Sequence, residues 1–227
     1  MFGYENRVFA RSSRFLMTSP AHVVVLHGWA LSSFATRYWC RYLLQEGFVP
    51  SSFSYPSHNR TLGHNVAQLA AHIEALPGDG PVHLVGHSLG GIVIMQCLAC
   101  HSFGRLGRVV LVGTPFQGSG AAQRLKATRL GRWLLGKSIV QWTGVVAGDM
   151  PKGLELGTIA GTRQLGMGQL LGRLESPHDG TVSLRETHVP FATDRALLPV
   201  THTEMLVSSK VTAHIVRFLQ HGKFAMT

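Results

Sequence analysis

A serine lies between two apolar runs of this chain, at a point where small residues surround it. Ser88 is part of the segment Gly86–Gly91 (GHSLGG), which follows Val82–Val85 and precedes Ile92–Met95. This pattern predicts a strand that turns sharply into a helix at the serine, with glycines that let both elements approach closely. A serine at such a turn lies clear of the backbone, near helix amides that carry partial positive charge. The chemistry that fits is nucleophilic attack on a carbonyl carbon.

Apolar runs and amphipathic stretches alternate on either side of this turn. The predicted strands are 21–26, 48–54, 81–86, 108–113, 156–161 and 196–200, and the predicted helices are about 34–46, 62–76, 89–102 and 208–220. This alternation predicts one α/β domain with a mostly parallel central sheet and helices on both faces. Because the carboxyl ends of parallel strands form one edge of a sheet, a site containing Ser88 should lie at that edge.

Two segments of the chain resemble the α/β-hydrolase superfamily. One is the Gly-X-Ser-X-Gly turn at Ser88, and the other is the pair His27-Gly28 directly after the apolar run 21–26. The resemblance covers about residues 21–220 and implies a minimal α/β-hydrolase fold with a short helical cap. Because only about twenty residues precede the first predicted strand, we expect the two antiparallel strands that usually open this fold to be missing.

The resemblance also implies which groups would bind an oxyanion. In this superfamily the amides that follow the His-Gly pair and the serine have that role, which here points to Trp29 and Leu89. The segment 114–119 (TPFQGS) is similar to the Gly-Thr-Pro-His-X-Gly-Ser segment of lipase-like members. Phe116 stands where that pattern usually has histidine, which favours the wider class of esterases over the true lipases.

A general base for Ser88 should lie on the loop between the last strand and the last helix, since that loop opens onto the same edge of the sheet. His202 lies there, between the predicted strand 196–200 and the predicted helix 208–220. The chain has 13 histidines, so position rather than residue type selects His202.

A carboxylate must hold the imidazole of the base in one tautomer, and the superfamily order places it between the serine and the histidine. Asp179 begins a segment that resembles the Asp-Gly-X-Val segment of small lipases and esterases, so we predict Asp179 as this acid. Asp194, which precedes the last strand, is the alternative. The other carboxylates between Ser88 and His202 are Asp149, Glu155, Glu175 and Glu186.

The helix predicted after Ser88 contains Cys97, Cys100 and His101 at the spacing of a c-type haem attachment site. We interpret these cysteines as thiols in a buried helix, because haem attachment needs an exposed site. We expect neither a metal nor an organic cofactor. The 3 cysteines, an odd number, favour reduced thiols and a cytoplasmic location.

We expect neither a membrane-spanning helix nor a secretory signal, and Glu5 disfavours an organelle transit peptide at 1–20. The sequence has no apolar run of the roughly 18 residues that a membrane-spanning helix needs. The first twenty residues lack the apolar core of a secretory signal. We expect a flexible extension at 1–20, a hydrolase domain at 21–220 and a tail at 221–227.

The net charge of +10 favours anionic surfaces or substrates. Recognised nucleic-acid motifs are missing, so we expect no nucleic-acid partner. Basic residues are densest at 124–137, inside a predicted cap-like insert at 115–150, where apolar residues recur at helical spacing. Three roles stay open for this stretch: a lid, a contact with an anionic membrane surface, or a core-packing helix with a solvated side.

These residues predict a serine hydrolase that cleaves small-molecule or lipid esters of carboxylic acids through an acyl-enzyme intermediate. A thioesterase or an acyltransferase would use the same residues. A non-catalytic binding protein of the same fold is the alternative from another class.

Overall fold

The computed structural model describes residues 19–127, 129–140, 150–165 and 174–224. Nearly all of the predicted extension 1–20 therefore lies outside the described residues, as do parts of the predicted insert and tail. No helix in these ranges is both long and apolar enough to cross a membrane.

The described residues contain six strands that form one parallel sheet. The strands are β1 (His22–Leu26), β2 (Val49–Phe53), β3 (Val82–His87), β4 (Leu106–Val112), β5 (Leu156–Gly161) and β6 (Asp194–Leu198). Their order across the sheet is β2-β1-β3-β4-β5-β6, and every neighbouring pair runs parallel. The predicted parallel α/β architecture is thus confirmed, with β3 and its serine turn at the centre of the sheet.

Helices connect the strands and cover both faces of the sheet. They are α1 (Arg37–Gln45), α2 (Leu62–Glu74), α3 (Leu89–Cys100), α4 (Gly120–Lys126), α5 (Arg129–Val140) and α6 (Ser209–His221). The first predicted helix begins as a short 3₁₀ turn at Ser33–Thr36 before α1. A second 3₁₀ turn, Glu204–Leu206, precedes α6.

The side chains of β1 show why this strand is apolar throughout. Val24 and Leu26 pack into a core with residues of α2 and α3. Val23 and Val25 point to the other face and pack with residues of α1 and α6. Since successive side chains of a strand alternate between faces, a strand covered on both sides needs an unbroken apolar run.

The last strand ends earlier than the sequence pattern predicts. Proline has no backbone N–H to give to a neighbouring strand, and β6 stops at Leu198, directly before Pro199. The amide of Val200 bonds instead to the oxygen of Leu198, over 2.8 Å. The chain therefore leaves the sheet before Pro199 and enters the loop that carries His202.

The predicted insert contains two helices where the sequence pattern indicates one. Within α5, Gly136 has φ 72°, which interrupts the helix. Residues next to this kink are attached to the segment that follows β2: the amide of Lys137 donates to the oxygen of His58 over 2.8 Å, and Ser138 Oγ donates to the oxygen of Arg60 over 2.8 Å. These bonds hold α5 at the carboxyl edge of the sheet.

Candidate active site

The turn between β3 and α3 places Ser88 in a strained conformation. Ser88 has φ 52° and ψ −118°, and it is partly exposed while the strand before it is buried. Such a backbone costs on the order of 1–3 kcal/mol in a residue other than glycine. The glycines make the turn possible, because a Cβ on Gly86 would lie 2.5 Å from the nitrogen of Gly91. A Cβ on Gly90 would lie 2.6 Å from the oxygen of His27.

The loop after β6 brings His202 to Asp179. The Nδ1 atom of His202 lies 2.7 Å from Oδ2 of Asp179, and the amide of His202 donates to the backbone oxygen of Asp179 over 2.9 Å. With Nδ1–H donating to the carboxylate, Nε2 is the ring nitrogen that does not face Asp179. Both side chains are nearly buried, which makes the pairing geometrically specific.

The carboxylate of Asp179 is also held by backbone amides. Its Oδ1 accepts hydrogen bonds from Thr181 over 2.9 Å and from Val182 over 2.7 Å. Burial alone would raise the pKa of Asp179, but the facing His202 and these bonds outweigh it and lower the pKa. The carboxylate therefore stays charged beside the imidazole.

Ser88 and His202 both lie against the end of β4. The amide of Ser88 donates to the oxygen of Val112 over 2.8 Å. A Cβ added to the next residue, Gly113, would lie 3.1 Å from Nδ1 and from Cε1 of His202. The imidazole of His87, next to Ser88 in the chain, has its centroid 4.7 Å from that of His202. Ser88 and His202 thus lie at the same place on the carboxyl edge of the sheet.

The two predicted oxyanion donors lie in segments that adjoin this serine. Gly28 abuts Ser88, since a Cβ on Gly28 would come within 3.3 Å of Ser88 Cβ. Trp29 follows Gly28, and Leu89 is the first residue of α3. Neither amide has a hydrogen-bond acceptor among the described residues. Both are available to an oxygen atom bound at Ser88.

A cluster of buried polar groups fixes the loop that carries Trp29. Nδ1 of His27 donates to the oxygen of Gly28 over 2.8 Å, and Tyr55 Oη donates to the oxygen of His27 over 2.7 Å. The rings of His27 and Tyr55 stack at 4.5 Å. The amide of Ala30, whose φ is 54°, donates to Ser57 Oγ over 3.0 Å. These contacts tie the loop that carries Trp29 to the segment that follows β2.

Asp194, the alternative acid, lies at the opposite edge of the sheet from His202. It is the first residue of β6, and its Oδ2 accepts from the amide of Phe224 over 2.8 Å. His202 therefore pairs with Asp179, whereas Asp194 binds the segment that follows α6. Asp149 lies outside the described residues.

The cysteines of α3 do not form a shared site. Cys97 is buried and Cys100 is exposed. Burial raises the pKa of the Cys97 thiol to about 12, so it stays protonated. In the part of the chain that the structure describes, no cluster of three or more His, Cys, Asp or Glu side chains could hold a metal ion.

Comparison with known proteins identifies a family whose model spans most of the chain. The family model described as "Alpha/beta hydrolase family" matches residues 23–222. The chain belongs to the alpha/beta hydrolase family. Sequence comparison with curated proteins gives no match.

Several solved structures share this family's fold with the chain. The lipase BlEst2 of Bacillus licheniformis, in its mature form, is 21% identical over 88% of this chain and 91% of that protein, with a TM-score of 0.68. The pyrethroid hydrolase PytH is 13% identical over 89% and 98%, with a TM-score of 0.63. The NocB thioesterase domain is 16% identical over 89% and 95%, with a TM-score of 0.56. At these identities the likeness is one of fold.

Three residues of the site were missed by sequence reasoning. His87, Tyr55 and Ser57 bond to the loops that carry His202 and Trp29. His87 is the first X of the Gly-X-Ser-X-Gly turn, a position to which that pattern assigns no role, and Tyr55 and Ser57 belong to no motif named above. Tyr55 and Ser57 do follow the carboxyl end of β2. Polar residues at that position of a parallel strand are the signal that could have found them.

Proposed function

We propose that this chain is a serine hydrolase that cleaves carboxylic esters. The observation that carries the proposal is the pairing of His202 with Asp179 at 2.7 Å, on the same edge of the sheet as the strained turn at Ser88. A buried carboxylate that orients an imidazole near a partly exposed serine favours a catalytic role over a purely structural one.

Acylation would begin with attack of Ser88 Oγ on the ester carbonyl carbon, while Nε2 of His202 takes the hydroxyl proton. Asp179 stabilises the imidazolium that forms. The carbonyl oxygen becomes an oxyanion that accepts hydrogen bonds from the amides of Trp29 and Leu89, and a donor of this kind typically contributes about 3 kcal/mol to lowering the barrier. The carbon–oxygen bond to the alcohol then breaks, and His202 returns its proton to the leaving alkoxide.

Deacylation repeats these steps with water. His202 takes a proton from water, the hydroxide attacks the acyl carbon, and the bond to Ser88 Oγ breaks as the serine recovers a proton. The carboxylic acid leaves, and the free enzyme is restored. All of these steps use side chains and backbone amides of this chain.

The proposal is tested with soluble p-nitrophenyl esters of increasing acyl length, hydrolysed by the wild type and by Ser88→Ala. We expect turnover by the wild type and a loss on the order of a million-fold in the variant, with an unchanged circular dichroism spectrum. Acyl-N-acetylcysteamine thioesters with the same acyl groups are assayed in parallel. A much higher kcat/KM on the thioesters would reassign the chain as a thioesterase, and no turnover of either series by folded wild type would favour a binding protein.

A further inference from the structure

Large apolar side chains are exposed at the carboxyl edge of the sheet, close to Ser88. We use the term rim for Trp29, Leu31, Phe34 and Val207. Phe34 is 71% exposed and Val207 is 62% exposed. Leu165, which follows β5 at the same edge, is also exposed. Exposed apolar residues that cluster beside a site mark a surface that contacts another apolar phase or molecule.

The members of the rim lie on two neighbouring segments that border the site. Trp29 follows Gly28, which abuts Ser88, and Phe34 lies in the 3₁₀ turn that leads into α1. In α1, Nε1 of Trp39 donates to the oxygen of Met205 over 3.1 Å, which ties this segment to the turn before Val207. Val207 in turn follows the loop of His202. Exposed apolar side chains therefore lie on both of the segments that adjoin the site.

The carboxylates of the described residues lie either at the amino edge of the sheet or in bonded positions elsewhere. Many carboxylates lie at the amino edge, where helices end and strands begin. These are Glu46, Glu74, Asp79, Glu155 and Asp194. The other carboxylates of the described residues all have a partner. Asp179 bonds to His202, and Glu186 accepts from backbone amides. Glu204 pairs with Arg163, and Glu175 pairs with Arg185.

Cations at the carboxyl edge remain exposed. The guanidinium of Arg37 lies 5.2 Å from the centroid of the Phe34 ring, at the border of the rim. Other exposed cations at this edge are Arg60, Lys137 and Lys210. Among the described residues, none of these four forms an ion pair. The apolar rim thus carries a positive border.

We propose that the rim docks on an anionic lipid bilayer and brings the opening at Ser88 onto its surface. Aromatic and aliphatic side chains of the rim would enter the headgroup region, while Arg37 and its neighbours contact anionic headgroups. A protein partner would also cover apolar side chains, but the unpaired positive border and the net charge of +10 match an anionic bilayer. The structure thereby places the membrane contact at 29–37 and 207, rather than on the basic stretch 124–137 alone.

This inference deepens the proposed function and rests on it for one consequence only. If the chain cleaves esters, its substrates are esters held in or on an anionic membrane. Docking itself does not depend on catalysis. It is therefore measured on full-length Ser88→Ala protein, whereas the proposed function is measured on soluble esters, so failure of one is distinguishable from failure of the other.

The experiment measures how much protein sediments with lipid vesicles. One set of vesicles contains phosphatidylcholine alone, and the other contains phosphatidylcholine with about one third phosphatidylglycerol. Phe34→Ser and Arg37→Gln test the rim and its border. Leu44→Ser and Lys223→Gln are matched controls, because Leu44 is 65% exposed at the far end of α1 and Lys223 follows α6 at the amino edge. A Phe34→Ser protein that keeps the native Ser88 should hydrolyse soluble esters at the same rate as the wild type.

We expect binding to the anionic vesicles only, weakened about ten-fold by Phe34→Ser and about five-fold by Arg37→Gln, and unchanged in the controls. Added salt should weaken it further. Equal binding by all variants, or no binding to anionic vesicles, would overturn the proposal. A concentration-dependent dimer of the wild type that Phe34→Ser abolishes would overturn it as well, because a second copy would then cover the rim.

Discussion

The imidazole of His87 donates a hydrogen bond from Nε2 to the backbone oxygen of His202, over 3.0 Å. Burial, and then the nearby His202, lower the pKa of His87 to about 3, so this ring is neutral. Its Nδ1 has no partner in the described part of the chain. A residue next to the serine thereby bonds to the loop of His202, and we predict that His87 is a positioning residue.

His87→Phe should lower kcat about ten-fold and leave KM within two-fold. Phenylalanine keeps a ring beside His202 but leaves the buried carbonyl of His202 without its hydrogen-bond donor. An unsatisfied buried acceptor typically costs about 1–3 kcal/mol, so we expect the loop of His202 to shift. Steady-state kinetics on a soluble ester measure the split between kcat and KM.

His87→Gln is the matched control for that experiment, because its amide N–H can replace Nε2. We expect it to recover most of the lost kcat. If His87→Gln is as slow as His87→Phe, or if both change only thermal stability, the bond to His202 does not position the base.

Asp179→Asn should reduce kcat on the order of ten-thousand-fold, because an amide can no longer hold the imidazole in the reactive tautomer or stabilise its charged form. Asp194→Asn should keep kcat within two-fold, since Asp194 bonds to the amide of Phe224 at the opposite edge. The two variants are compared on one ester at one pH. A larger loss in Asp194→Asn would mean that the acid is assigned to the wrong residue.

The sequence predicts elements with strong local patterns well. It predicts a strand at 81–86 and a helix at 208–220, and the structure has Val82–His87 and Ser209–His221. Glycines around Ser88 and the apolar periodicity of α6 are local signals. The position of His202 follows from the order of elements, because a parallel sheet brings the loops after its strands to one edge.

Long-range polar contacts could not be predicted in this way. The partner of His87 lies 115 residues away in the chain, and only the folded sheet brings the two together. The kink at Gly136 likewise depends on a close approach to His58, since a Cβ on Gly136 would lie 2.5 Å from the oxygen of His58. Periodicity gives the faces of an element, but not the residues that those faces meet.

Gly86→Ala should destabilise the protein by about 2 kcal/mol or more. The added methyl group would lie 2.5 Å from backbone nitrogen of Gly91, and a backbone atom cannot move aside cheaply. Gly63→Ala is the control, because it lies on the exposed side of α2 with nothing within 4 Å of the new Cβ. We expect it to stabilise by up to about 1 kcal/mol. Urea denaturation measures the free energy of unfolding of both variants. Equal changes in the two variants would contradict close packing at the turn.

Stability should fall as the pH is lowered from about 6.5 to about 4, in part because of His83. Burial, and then the charge of Arg108, lower its pKa from 6.5 to about 4. Between these values the unfolded chain binds a proton that the folded chain does not, so acid favours unfolding. The neutral ring accepts a hydrogen bond at Nδ1 from the amide of Arg108 over 2.7 Å.

His83→Asn tests this titration, because the Asn oxygen can replace Nδ1 as the acceptor without binding a proton. The free energy of unfolding of this variant, followed by denaturant titration at several pH values, should depend less steeply on pH than that of the wild type. An unchanged slope would show that His83 does not contribute to this pH dependence.

The most direct test of the central claim is labelling of the purified protein with a fluorophosphonate, read by intact mass. The wild type should gain one adduct, and folded Ser88→Ala and His202→Ala proteins should gain none in the same time. Asp179→Asn should label much more slowly than the wild type. A well-folded wild type that stays unlabelled, or a Ser88→Ala protein that still gains the adduct, would contradict activation of Ser88 by His202 and Asp179.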